Sequence, residues 1–190
     1  MLPGGTLSSY TFQGVFTGGR NIQTSGPHID FENGGIALND NSAGRDYQVW
    51  RAEVIEDKVW LQAANGEPIL ILEGEGITEI SFTFDQNMRL ALAYVQDKIA
   101  YFRWYDTSIG MEVTTVLGDR ILTPRVCMDD KRLTQTAVSD IILAYVRNRS
   151  LRYKLQRDRY EIEYTLIGTK KRLIKIGMTK GLRVQFLMTN

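Results

Sequence analysis

From residue 46 onward, apolar and polar positions alternate with a period of two, which sends successive side chains to opposite faces of an extended strand. Gln48 to Ile55 alternates, Glu56-Asp57-Lys58 supplies a turn, and Val59 to Ala63 returns, which predicts a β-hairpin. The layout recurs at Leu90 to Val95, turn Gln96-Asp97-Lys98, return Ile99 to Trp104. It recurs again at Ile142 to Val146, turn Arg147 to Ser150, return Leu151 to Leu155. A fourth hairpin is predicted from Arg172 to Met178, a turn at Thr179-Lys180-Gly181, and Leu182 to Met188. Residues 140–160 are charged enough to suggest a helix, but Leu151-Arg152-Tyr153-Lys154-Leu155 alternates strictly, a pattern that a helix would scatter around its circumference. Tyr160 to Leu166 alternates in the same way, so Gln156 to Arg159 is either a bend between two strands or part of one long strand. No long helix is predicted, and Thr134 to Asp140 would make at most one helical turn.

Two internal matches suggest repetition. Leu92-Ala93-Tyr94-Val95 matches Leu143-Ala144-Tyr145-Val146 at a spacing of 51 residues (92 to 143), and Ile55 to Val59 matches Val95 to Ile99 at a spacing of 40 (55 to 95). Strand pairs repeating at such intervals imply an all-β fold, an antiparallel hairpin meander arranged as a sandwich or as propeller-blade-like repeats. Two amphipathic hairpins also resemble each other without any true repeat. Residues 1–45 differ in texture: nine of the 17 glycines fall there, several as pairs, between short β-prone runs such as Tyr10-Thr11-Phe12 and Val15-Phe16. The chain thus divides into a Gly-rich, extended N-terminal segment, 1–45, and an antiparallel β domain, 46–190. The segment would pack on its own domain or on a neighbouring subunit.

Composition narrows the function classes. The 190 residues include one cysteine, Cys127, and one histidine, His28, so a disulfide framework, a Cys-rich zinc module and a Ser-His-Asp triad lack parts. Met1 to Gly5 has no basic or apolar signal-peptide region, and no apolar run approaches the ~20 residues of a membrane helix, so neither classical export nor membrane insertion is expected. The net charge of +1 conceals an asymmetry: residues 1–100 carry 6 basic and 13 acidic side chains, and residues 101–190 carry 17 and 9. Opposed halves either neutralise each other within one domain or draw copies together head to tail; a basic half also suits nucleic acid.

No catalytic, cofactor or metal site is predicted. Asp129-Asp130 beside Lys131-Arg132 reads as a turn with local ion pairs. Glu161 and Glu163 share a strand face as a glycosidase pair would, yet any solvent-facing strand shows the same spacing. Asn39 to Asp46 has the composition of a calcium loop without its ligand spacing, and no glycine pair fits a phosphate loop. The basic residues Arg147, Arg149, Arg152, Arg157, Arg159, Lys170, Lys171 and Arg172 are the candidate interface, preferred for protein contacts over nucleic acid because period two separates the arginines from Tyr145, Tyr153 and Tyr160. Cys127, between Val126 and Met128, is expected buried and inert. Trp50, Trp60 and Trp104 are expected in the core, the other use being a sugar platform.

Phe84-Asp85-Gln86-Asn87-Met88-Arg89, Trp104-Tyr105-Asp106, Asp129-Asp130-Lys131-Arg132 and Leu143-Ala144-Tyr145-Val146 through Gln156 to Tyr160 resemble virion structural proteins from the tail modules of tailed bacteriophages, over about residues 34–166. The resemblance implies a β-rich component of the tail tip, nozzle or fibre-attachment region, not an enzyme, present in several copies and made in the host cytoplasm. Its partners would be other phage tail proteins and further copies of itself, as a homo-oligomer. A host-surface carbohydrate-binding β module is the alternative.

Overall fold

A computed structural model describes residues 34–41, 44–63, 66–85, 89–129, 140–178 and 184–189. Residues 1–33 of the Gly-rich segment (His28 among them), Asp130-Lys131-Arg132, residues 134–139 of the helical turn expected over Thr134 to Asp140, and the turn Thr179-Lys180-Gly181 lie outside the described residues; Gly34–Asn41 and Gly44-Arg45 of the expected N-terminal segment, and Asp140, lie in strands. The fold is all-β and antiparallel. Its strands are β1 (Gly34–Asn41), β2 (Gly44–Ile55), β3 (Lys58–Ala63), β4 (Ile69–Glu73), β5 (Ile77–Phe84), β6 (Leu90–Gln96), β7 (Ile99–Asp106), β8 (Met111–Asp119), β9 (Arg125–Asp129), β10 (Asp140–Arg147), β11 (Ser150–Leu155), β12 (Tyr164–Gly168), β13 (Leu173–Met178) and β14 (Val184–Met188). All four expected hairpins form: β2–β3, β6–β7, β10–β11 and β13–β14.

Each run of four consecutive strands makes one meander. Sheet I is β1-β2-β3-β4, sheet II β5-β6-β7-β8 and sheet III β9-β10-β11-β12, while sheet IV holds β13 and β14 among the described residues. First strands start at Gly34, Ile77, Arg125 and Leu173, and β1 lies beside β5, β5 beside β9, and β9 beside β13. Four-stranded meanders stacked with their first strands together are organised as propeller blades are.

Side-chain alternation explains the stacking. Sheet I faces the rear of sheet II through Ala52, Val59 and Leu61 against Phe82, Phe84, Leu92 and Tyr94. The front of sheet II sends Ala93, Val95, Ala100, Phe102 and Trp104 against Val126, Ile141, Leu143 and Tyr145 of sheet III. The front of sheet III packs Cys127, Ile142, Ala144, Leu151 and Leu155 against Leu173, Ile176, Val184 and Phe186. Central strands β6 and β10 are therefore buried on both faces, which is why they read as near-continuous apolar runs.

The repeat is real in backbone detail. Glu56-Asp57, Asp97-Lys98 and Asn148-Arg149 are two-residue turns in which both residues have positive φ, between 49° and 66°, as type I′ turns require. Three residues past the start of each turn the ladder slips by a bulge, at Val59/Trp60, Ala100/Tyr101 and Leu151/Arg152. Before each turn stands a half-buried or buried Ala-x-Val: Ala52-Glu53-Val54, Ala93-Tyr94-Val95 and Ala144-Tyr145-Val146. The structural spacings are 41 (56 to 97) and 51 (97 to 148). The 51-residue match is in register; the 40-residue match is one residue out, because it aligned Asp57 with Asp97 by identity whereas Asp57 occupies the place of Lys98.

One strand begins later than expected. Gln156–Asp158 forms a 3-10 turn, Arg159 and Tyr160 follow with φ of 52° and 57°, and β12 starts only at Tyr164. The stretch is a bend, and the left-handed pair swings Tyr160 inward, where its ring meets Phe102 and Trp104 edge-on at 4.6 and 4.8 Å. No helix among the described residues is long and apolar enough to cross a membrane.

Candidate assembly surface

The eight candidate basic residues separate into internal struts and an exposed group. Arg147, at the end of β10, gives two bonds of 2.8 Å to the two oxygens of Glu163 and reaches the Leu117 carbonyl of sheet II at 3.4 Å. Arg152 and the buried Tyr145 hydroxyl donate to the same carboxylate. Burial raises the Glu163 pKa, but the Tyr145 and Arg152 bonds and both guanidinium charges outweigh it and hold the carboxyl below its ordinary value. Tyr145 is pushed up, by burial first and then by its bond to Glu163. Arg159 donates to Asp106 of sheet II at 2.7 Å. The hydrogen bond from the Ser108 side chain, followed by the Ser108 amide and Arg159, lowers the Asp106 pKa against its burial. Arg157 remains largely exposed, with its guanidinium 3.4 Å from Asp140 and its amide donating to that carboxylate at 2.9 Å.

Arg147 and Tyr145 meet on one carboxylate, with the Arg147 guanidinium carbon 6.0 Å from the centre of the Tyr145 ring, so the expected separation of the arginines from the tyrosines does not hold there. Arg147, Arg152 and Arg159 brace the fold, while Arg157 makes an exposed pair. Glu163, read as one of a carboxylate pair, has its oxygens taken by two arginines and a tyrosine, while Glu161 is exposed and 4.0 Å from Arg159. Trp104 is buried, Trp50 packs on Phe84 at 5.4 Å, and Trp60 is half-buried on the rear of sheet I.

Sequence reading missed the most central strut. Arg125 opens β9, and its side chain is 8% exposed. It donates to Glu79 of sheet II at 3.1 Å from two nitrogens, to the Ile174 carbonyl of sheet IV at 2.5 Å and to the Pro124 carbonyl at 3.3 Å. One guanidinium thus spans three sheets. Arg103 does the same between sheets II and I, bonding the Ile71 carbonyl at 2.7 Å while pairing with Glu112. An apolar-flanked arginine one residue after a proline, Pro124, was the only signal available.

Arg149, Lys170, Lys171 and Arg172 are exposed and brought together, since the Thr169 amide donates to the Arg149 carbonyl at 2.8 Å. They occupy the rim where β10 turns into β11 and β12 ends. Strand direction places the corresponding residues of the other sheets on that rim. In sheet I they are Glu56, Asp57, Glu73 and Glu75; in sheet II they are Asp97, Lys98, Asp119 and Arg120, all exposed. Backbone bonds tie the first two groups: Gly74 N to Asp57 O at 2.9 Å and Asp97 N to Gly76 O at 3.2 Å. The rim therefore runs from acidic over sheet I, through balanced over sheet II, to basic over sheet III. Among the described residues, no group of three or more His, Cys, Asp or Glu side chains is placed to hold a metal ion.

No protein-family model matches the chain, and no curated protein or solved structure matches it.

Proposed function

We propose that the chain is a non-enzymatic structural component of a bacteriophage tail, in the tip, nozzle or fibre-attachment region, that assembles with other tail proteins and with copies of itself. The observation that carries the reading is the graded rim. A surface acidic at one end and basic at the other recognises a copy of itself head to tail, and complementary charge selects partner and orientation. The phrase-level resemblance to tail-module proteins supplies the setting, the virion. Exposed Ile69, Leu70, Met111, Val116, Leu166 and Ile167 on the outermost strands β4, β8 and β12 add apolar area of the kind that subunit contacts use.

Two measurements test the reading. Light scattering at about 0.05 M and about 0.5 M salt, a range over which the Debye length falls severalfold, should give a discrete oligomer that loosens with salt. Monomer mass at both would overturn the self-assembly. Gold-labelled antibody raised against the chain should mark the tails of particles from the phage that encodes it. Particles without label at the tail would overturn the tail assignment.

A further inference from the structure

The charged rim is level as well as graded. Its three hairpin ends are two-residue turns of one type at equivalent positions, so none stands above the others. The connections that cross from the fourth strand of one sheet to the first strand of the next also lie on this rim, and they differ. From β4 to β5 the crossing is Gly74-Glu75-Gly76, whereas from β8 to β9 it is the longer stretch 120–124. In the longer one Ile121 and Thr123 are buried and Leu122 between them is 51% exposed, so an apolar side chain projects from the rim. The shorter one offers two glycines, which have no side chain, on either side of Glu75. Lys58 pairs with Glu73 at 3.4 Å and leaves the group over sheet I acidic in sum.

We propose that two copies of this chain join rim to rim about a two-fold axis that runs along sheet II from its first strand to its fourth, making a closed dimer. The inference rests on the self-assembly read above and fixes its face, its symmetry and its stopping point. Turning a copy by 180° about that axis reverses the order of its sheets. The acidic group over sheet I then faces the basic group over sheet III of the other copy, and sheet II, with Asp97, Lys98, Asp119 and Arg120, faces itself with both signs in equal number. The crossing 120–124 faces the crossing 74–76, which sets Leu122 over the two glycines and Arg120 opposite Glu75. Each contact occurs twice, as an isologous interface requires. Three sheets at a spacing of roughly 10 Å and four strands at roughly 4.8 Å give each rim a footprint of roughly 600 Å², near the lower bound of specific interfaces. Charge therefore carries much of the affinity, and salt parts the dimer.

Sedimentation equilibrium of the full chain tests the dimer. At about 0.05 M salt, where screening is weak, the mass should level off at twice that of one chain as concentration rises. Two variants each reverse one end of the rim at exposed positions: Glu56→Lys with Glu75→Lys, and Lys170→Glu with Arg172→Glu. Either alone sets like charges against each other and should weaken dimerisation at least about a hundredfold. Mixed one to one, the two are complementary at both ends and should pair again, a rescue that only folded chains can give. Leu122→Asp should weaken dimerisation at least about tenfold. Mass that keeps rising with concentration would leave self-assembly standing and overturn the two-fold closure. A discrete oligomer unmoved by reversal of one end would overturn the rim contact alone, and a one-to-one mixture that stays monomeric would do the same. A parent chain that is monomeric throughout would overturn the dimer together with the self-assembly.

Discussion

Replacing Arg125 by Met keeps an unbranched apolar stem as far as the Nε position and removes the charge and the donors, so the variant isolates what the guanidinium does. Two losses follow from the geometry. The charged bonds to Glu79 are worth about 1.5–3 kcal/mol in general, and the lower end applies because Glu79, 31% exposed, regains water when released. The Ile174 carbonyl loses its side-chain donor, at a cost of about 1–2 kcal/mol. Together they predict a destabilisation of about 2–4 kcal/mol, below the roughly 3–5 kcal/mol that breaking a fully buried pair costs. For a chain of this size that lowers the melting temperature by roughly 4–16 °C. Urea unfolding followed by tryptophan fluorescence measures the free energy, and a double-mutant cycle with Glu79→Gln should return a coupling of about 1–2 kcal/mol. Because Arg125 also holds sheet IV, amide exchange in β13 should rise more than in β3. A loss below about 0.5 kcal/mol, or exchange in β13 no different from that of the parent, would refute the strut.

Glu163→Gln tests the second strut: at pH 7 it should cost about 1–2 kcal/mol, allowing for solvent screening. Since the folded pKa lies below the unfolded one, the carboxylate's contribution is complete above the unfolded value near 4.3 and disappears as pH falls through the folded value. Melting curves from pH 7 down to about pH 2.5 should therefore show a shallower acid decline in the variant. Lys98→Gly should stabilise by about 0.5–1 kcal/mol, because Lys98 holds φ at 66°, a conformation glycine adopts freely; a destabilised variant in urea titration would contradict the type I′ assignment. Ala93→Leu forces a larger side chain between sheets II and III where Ala93 is fully buried, and should cost about 1–3 kcal/mol by the same titration.

Hairpins were legible because a turn of polar residues between alternating runs is a local signal. Register was less so. Asp57-Lys58 and Asp97-Lys98 look equivalent letter by letter, yet solvent-facing turn residues exchange freely, and the informative positions were the buried or half-buried Ala-x-Val triplets on the second strand of each of sheets I to III. A slip of one residue reverses which face a side chain occupies, so the distinction matters. The arginine struts were not legible at all, because Arg125 finds Glu79 46 residues earlier and Ile174 49 residues later, pairings created only when sheets stack. Tyr160 to Leu166 looked like one strand because its alternation is genuine; the left-handed Arg159 and Tyr160 interrupt it without any glycine to announce the break.

The bulge that recurs just after each type I′ turn separates the register of the fourth strand from that of the first three. Exposed side chains on β4, β8 and β12, such as Leu70, Val116 and Leu166, can then change size and polarity while the Ala-x-Val faces, the packed Leu72 and the buried Leu117 stay as they are. The stack thereby divides its sequence into an inner part constrained by packing and an outer part open to drift. A chain built this way can acquire a new neighbour by substitution at those exposed outer-strand positions alone.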